Sequence, residues 1–187
     1  MSEKKVCSVI SKAVLVFFML INFSLAEEIV LKVGDPVPVF KLPYATQEKV
    51  DFDGISSEDL KGSRYVLAFY PADWSGGCTT EMCIFRDSID ALTKLDVEVF
   101  PVSGDYIFSH QAWAKHHNLP FKLLGDHTRE FGKKMGVYMP ENGMLSRSVF
   151  VVGQDGKFEY IDYEYSVKDG KDCICKKFTT DKKDRAK

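Results

Sequence analysis

Tyr65-Val66-Leu67-Ala68-Phe69-Tyr70-Pro71-Ala72-Asp73-Trp74-Ser75-Gly76-Gly77-Cys78 decides how this chain is read. Its first six residues form an unbroken apolar run, the pattern of a strand buried on both faces. Pro71 ends the run. Beyond Cys78, the residues Met82, Phe85, Ile89 and Leu92 recur three, four and three apart, which marks one face of a helix. Cys78 therefore sits where a central strand hands over to a helix N-terminus. Free amides and the positive end of the helix dipole gather at such a point and favour a thiolate. Cysteine pKa values in these settings fall to roughly 3.5–7.5, against about 8.5 for a free thiol.

Outward from that stretch, strands and helices alternate. The expected helix runs from Thr79 to about Leu95, followed by a strand over Val97–Val102 and a helix over Phe108–His117. Leu119-Pro120 breaks the chain before a short strand, Phe121–Leu124. Thr128–Met135 reads as a short helix stopped by Gly136. Arg147–Val152 and Phe158–Asp162 read as two strands joined by an Asp155-Gly156 turn. Residues 27–60, with Gly34, Pro36, Pro38 and Pro43, read as an irregular leading segment with weak strands. Alternation closed by an antiparallel hairpin argues for an α/β fold with a mixed central sheet.

The first 26 residues have the pattern of a secretory signal. Lys4, Lys5 and Lys12 give a basic start, an apolar run follows from Ala13, and Ser24-Leu25-Ala26 ends in small residues. The run is shorter than the about 20 apolar residues a bilayer span needs, so cleavage after Ala26 is expected rather than an anchor. Export, to the periplasm in a bacterium, follows. Without Glu3 and the three lysines, the chain's 27 acidic and 25 basic side chains become 26 and 22, a net charge of −4. That balance gives no electrostatic case for nucleic acid or anionic membrane partners. At 187 residues and 45 % apolar, the chain supports one domain with a real core, expected over residues 27–167. The lysine-rich tail, 168–187, is expected to be flexible.

The motifs resemble the peroxiredoxins, the alkyl hydroperoxide reductase and thiol-specific antioxidant family. Its signature Pro-x-x-x-Thr/Ser-x-x-Cys stands here as Pro71-x-x-x-Ser75-x-x-Cys78, with Trp74 in the aromatic position. Val102-Ser103-Gly104-Asp105, Ser109-His110-Gln111-Ala112-Trp113 and Leu119-Pro120-Phe121 follow in the family's order. Arg147, opening Arg147-Ser148-Val149-Phe150, falls where the family places its active-site arginine. The likeness runs from about Val33 to Asp162. It implies a thioredoxin-like fold and a thiol-dependent peroxidase acting on hydrogen peroxide and organic hydroperoxides. Cys78 would be the attacking thiolate, with Ser75, Pro71 and Arg147 around it. Glu81 reads as structural, an acid suited to the first helical turn.

Cys83, five residues after Cys78, resembles the resolving cysteine of the bacterioferritin comigratory protein subgroup. Residues five apart in a helix have Cα atoms about 8–9 Å apart, whereas a disulfide wants roughly 4.4–6.8 Å. A Cys78–Cys83 bond therefore requires the helix to unwind. Cys173-Ile174-Cys175 is the rival resolving pair. It also leaves a relay or a zinc site open, although zinc knuckles favour Cys-x-x-Cys spacing. His110 reads as hydrogen-bonded rather than ligating, and His116-His117 as a solvated helix face. The resemblance implies a peroxide substrate, a thioredoxin-like reductant protein and no organic cofactor, and leaves a homodimer open. Two other functions compete: a thioredoxin-like disulfide reductase, since Trp74-Ser75-Gly76-Gly77-Cys78 resembles Trp-Cys-Gly-Pro-Cys with serine for the first cysteine, and a binding module.

Overall fold

The computed structural model describes residues 29–166. Readings that fall on the signal segment and on Cys173 and Cys175 lie outside the described residues.

The strand that follows Ser63 is central, as its composition requires. β3 (Arg64–Phe69) is buried at every residue but Arg64. It pairs parallel with β4 (Val97–Ser103) and antiparallel with β8 (Ser148–Val152). The remaining strands are β1 (Lys41–Ala45), β2 (Val50–Ser56), β5 (Leu123–Gly125) and β9 (Phe158–Asp162). Together they form a seven-stranded sheet in the order β2-β1-β5-β4-β3-β8-β9. A separate small hairpin joins β6 (Tyr138–Met139) to β7 (Met144–Leu145).

The two-residue period of β3 divides the core. Val66, Ala68 and Tyr70 project to one face, where they pack with Cys78, Met82, Phe85, Leu92 and Trp113. Tyr65, Leu67 and Phe69 project to the other, against Phe40, Phe100, Phe131 and Phe150. The first face is covered by α1 (Gly76–Asp87), α2 (Ile89–Thr93) and α3 (Ile107–His117). Phe131 belongs to α4 (Glu130–Lys134) on the second. The fold is thus a mixed sheet with helices on both faces, the thioredoxin-like α/β arrangement that the sequence led us to expect.

Two expectations need correction, and one element was not foreseen. The helix expected over Thr79–Leu95 starts earlier and is two helices. Ser75 caps it, and it breaks at Ser88, whose backbone leaves the helical region at φ −103°, ψ 2°. Asp87 and Ser88 are residues whose side chains compete for backbone hydrogen bonds, so a break between them has a local cause. Residues 27–60 are less irregular than their prolines suggested. β1 and β2 form a hairpin across a bulge, and β1 pairs with β5, so tertiary pairing supplies the order that local composition lacks. The β6–β7 hairpin has strands too short for periodicity to register.

Candidate active site

Ser75 begins the site. Its extended backbone, φ −70°, ψ 138°, places its Oγ to accept from the Cys78 amide at 3.4 Å, as an N-cap does. The same hydroxyl donates to Cys78 Sγ at 3.1 Å. Ser75 is therefore helix cap and sulfur neighbour at once. Cys78 lies in the first turn of α1 and is fully buried.

Arg147 reaches the sulfur from across the sheet. Because β8 runs antiparallel to β3, Phe69 at the end of β3 lies opposite Ser148 at the start of β8. The residue before Ser148 must then emerge at the edge where β3 gives way to α1. Arg147 Nη2 donates to Cys78 Sγ at 3.2 Å. Gly77 leaves room for this, since a Cβ there would stand 3.3 Å from the same Nη2.

Glu81 corrects the sequence reading. It is not in the first turn of α1, because the helix starts at Gly76, and its carboxylate is buried against Arg147. Glu81 Oε2 accepts from Arg147 Nη1, which leaves Nη2 for the sulfur. Oε1 is buried with no hydrogen-bond partner among the described residues. A carboxylate one turn beyond a cysteine was visible in the sequence, but its partner was not.

Pro71 is half-buried in the bend directly after β3, and its ring fixes the chain on the way to Ser75. Cys83 is half-buried on α1, and both it and Cys78 are free thiols within one continuous helix. The unwinding requirement for a bond between them thus applies to the helix as it stands.

A second set of groups escaped the sequence reading. Tyr70 donates its hydroxyl to Asp73 Oδ1 at 2.8 Å, and His110 Nδ1 pairs with Asp73 Oδ2 at 2.8 Å. His110 is hydrogen-bonded, as expected, and wholly buried. Burial first, then the adjacent Asp73 charge, pushes the Tyr70 phenol well above its usual range, so it remains a donor. His116 is exposed and His117 half-buried, and both rings lie against Trp74 beside the site.

The AhpC/TSA family matches residues 33–161. The chain belongs to that family. A peroxiredoxin named bcp from Coxiella burnetii is 35 % identical over 132 residues, covering 67 % of this chain and 84 % of the relative. Peroxiredoxin Q of Triticum aestivum, a chloroplast protein, is 40 % identical over 120 residues, 64 % of this chain and 55 % of that one. This chain thus spans about half the length of the plant relative. Among solved structures, Mycobacterium tuberculosis AhpC superposes with a TM-score of 0.71 at 26 % identity, covering 83 % of this chain and 96 % of its own. Plasmodium vivax 2-Cys peroxiredoxin, at a TM-score of 0.74 and 21 % identity, shares the fold. Membership makes this AhpC/TSA protein a peroxidase-type oxidoreductase.

Proposed function

We propose that this AhpC/TSA protein reduces hydrogen peroxide and organic hydroperoxides at Cys78. The observation that carries the reading is one buried sulfur held between the Ser75 hydroxyl and the Arg147 guanidinium, at 3.1 and 3.2 Å. A cation and a hydroxyl at a thiolate suit a peroxide, whose attacked oxygen needs a nucleophile and whose leaving oxygen needs a donor. The Cys78 thiolate attacks one peroxide oxygen and the O–O bond breaks. The other oxygen departs as water or an alcohol after taking a proton, and Cys78 becomes a sulfenic acid.

A second thiol then attacks that sulfur, releasing water and forming a disulfide. Cys83 is our choice for the resolving thiol, on its place in α1, with Cys173 and Cys175 as the alternatives. A thioredoxin-like protein supplies the two electrons that reopen the disulfide. The N-terminal signal pattern supports a cycle that runs outside the cytosol. The reductase reading is weaker, since Ser75 stands where a reductase needs its attacking thiol.

The test is a cysteine map. The reduced protein receives one equivalent of hydrogen peroxide, is alkylated at once, and its cysteines are assigned by mass. Prompt oxidation of Cys78 with a link to Cys83 is expected. A link to Cys173 or Cys175 would move resolution to the tail. An unoxidised Cys78 would refute the peroxidase.

A further inference from the structure

The loop from Pro71 to Ser75 carries two of the four residues that the family resemblance gives the site, and it is held in a conformation it would not choose alone. Trp74 has φ 61°, the left-handed region that a large side chain rarely occupies. Such a residue persists only where the surroundings over-determine it. Here they come from one direction. The Asp73 amide donates to Asp105 Oδ2 at 2.6 Å, and the Trp74 indole donates to Ser109 Oγ at 3.2 Å. His110, one residue further along α3, pairs with the Asp73 carboxylate, and its Nε2 faces the Leu124 carbonyl of β5 at 3.3 Å. Tyr70 closes the set from the end of β3.

Asp73 is the keystone. Its side chain is 1 % exposed and is held by Tyr70 and His110, while Asp105 holds its amide. None of these side-chain hydrogen bonds is made to Cys78. We propose that Asp73, with His110, Asp105 and Ser109, forms a clamp that positions Pro71 and Ser75 to orient the bound peroxide. These are positioning residues, and the inference rests on the peroxidase reading given above. The clamp acts through the Ser75 hydroxyl, which also donates to Cys78 Sγ, while the sulfur keeps its second donor, Arg147, and its place in α1. Loosening the clamp therefore slows peroxide attack selectively.

The test uses the full chain carrying Cys7→Ser, Cys83→Ser, Cys173→Ser and Cys175→Ser, so that Cys78 is its one thiol. Two second-order rates are measured, oxidation by hydrogen peroxide and alkylation by iodoacetamide, which needs the thiolate but no peroxide pocket. Asp73→Asn preserves shape while removing the charge. It is expected to slow oxidation by about tenfold to a hundredfold, the range a misplaced reacting group produces, and alkylation by less than about threefold. Ser109→Ala, on the partly exposed side of the clamp, gives a smaller loss of the same selective kind in a variant that leaves the core intact. Oxidation and alkylation slowed equally in both variants, or neither slowed, would overturn the clamp. A parent protein whose Cys78 resists peroxide would instead overturn the peroxidase reading itself, and the clamp with it.

Discussion

Replacing Arg147 with methionine separates what this arginine does for the sulfur from what it does for the fold. It removes the donor 3.2 Å from Cys78 Sγ. A hydrogen bond between charged partners is worth about 1.5–3 kcal/mol, so peroxide oxidation of Cys78 should slow by about tenfold to a hundredfold. The same change orphans Glu81, whose side chain is 1 % exposed and whose Oε1 already has no partner among the described residues. Breaking a buried pair from one side costs about 3–5 kcal/mol, a large part of the about 5–15 kcal/mol that holds a domain folded.

The reverse change, Glu81→Leu, leaves a cation that is 21 % exposed and reachable by water. Its cost should be smaller, about 1–2 kcal/mol. Replacing both partners by apolar groups should recover most of the stability, because no buried charge remains. Urea unfolding at pH 7 measures the stabilities, and stopped-flow oxidation measures the rate. The double variant is expected to be more stable than Arg147→Met and no faster. An Arg147→Met protein within about 1 kcal/mol of wild type would refute the ion-pair argument. A double variant that regains the rate would refute the role of the guanidinium at the sulfur.

Three further outcomes are expected. In a Cys173→Ser, Cys175→Ser background, oxidation to a Cys78–Cys83 disulfide should lower the helical far-UV circular dichroism as the start of α1 unwinds, and unchanged helicity with the bond formed would contradict the geometry. Gly77→Ala should hold or raise stability by about 0.5–1 kcal/mol through helix propensity. It should still slow oxidation severalfold, because the new Cβ meets Arg147 Nη2 at 3.3 Å, and an unchanged rate would show that the guanidinium has room to spare. Burial, then the His116 and Arg86 charges, lower His117 below its ordinary 6.5. Its folded form favours the neutral ring, so its contribution to stability is complete above about pH 6.5 and is lost as pH falls through the lower folded value. NMR titration of the ring and comparison with His117→Gln in urea check both, and a midpoint above 6.5 would reverse the sign.

Much of the site was legible because it is local. Ser75, Cys78 and Cys83 lie within nine residues, and a helix cap and a first-turn cysteine follow from residue type and spacing. The burial of Tyr65–Phe69 followed from composition in the same way. Arg147 was placed only by resemblance, since nothing in residues 79–146 says which strand will lie beside β3. Glu81 was read as a structural acid of the first helical turn for the same reason: its partner arrives from a distant strand. Asp73 and His110, 37 residues apart, gave no joint signal.

The sequence by itself determined a thiol at a strand-to-helix junction, the serine that caps it, and a core of alternating strands and helices, because dihedral preference, capping and side-chain period act over a few residues. Only the tertiary structure decided what surrounds that thiol. The antiparallel register of Phe69 against Ser148 delivers Arg147 to Cys78, and packing of α3 on the first face of the sheet delivers His110 to Asp73. Those contacts depend on which strands pair and in which direction, and pairing is settled by burial of the whole sheet rather than by any one segment.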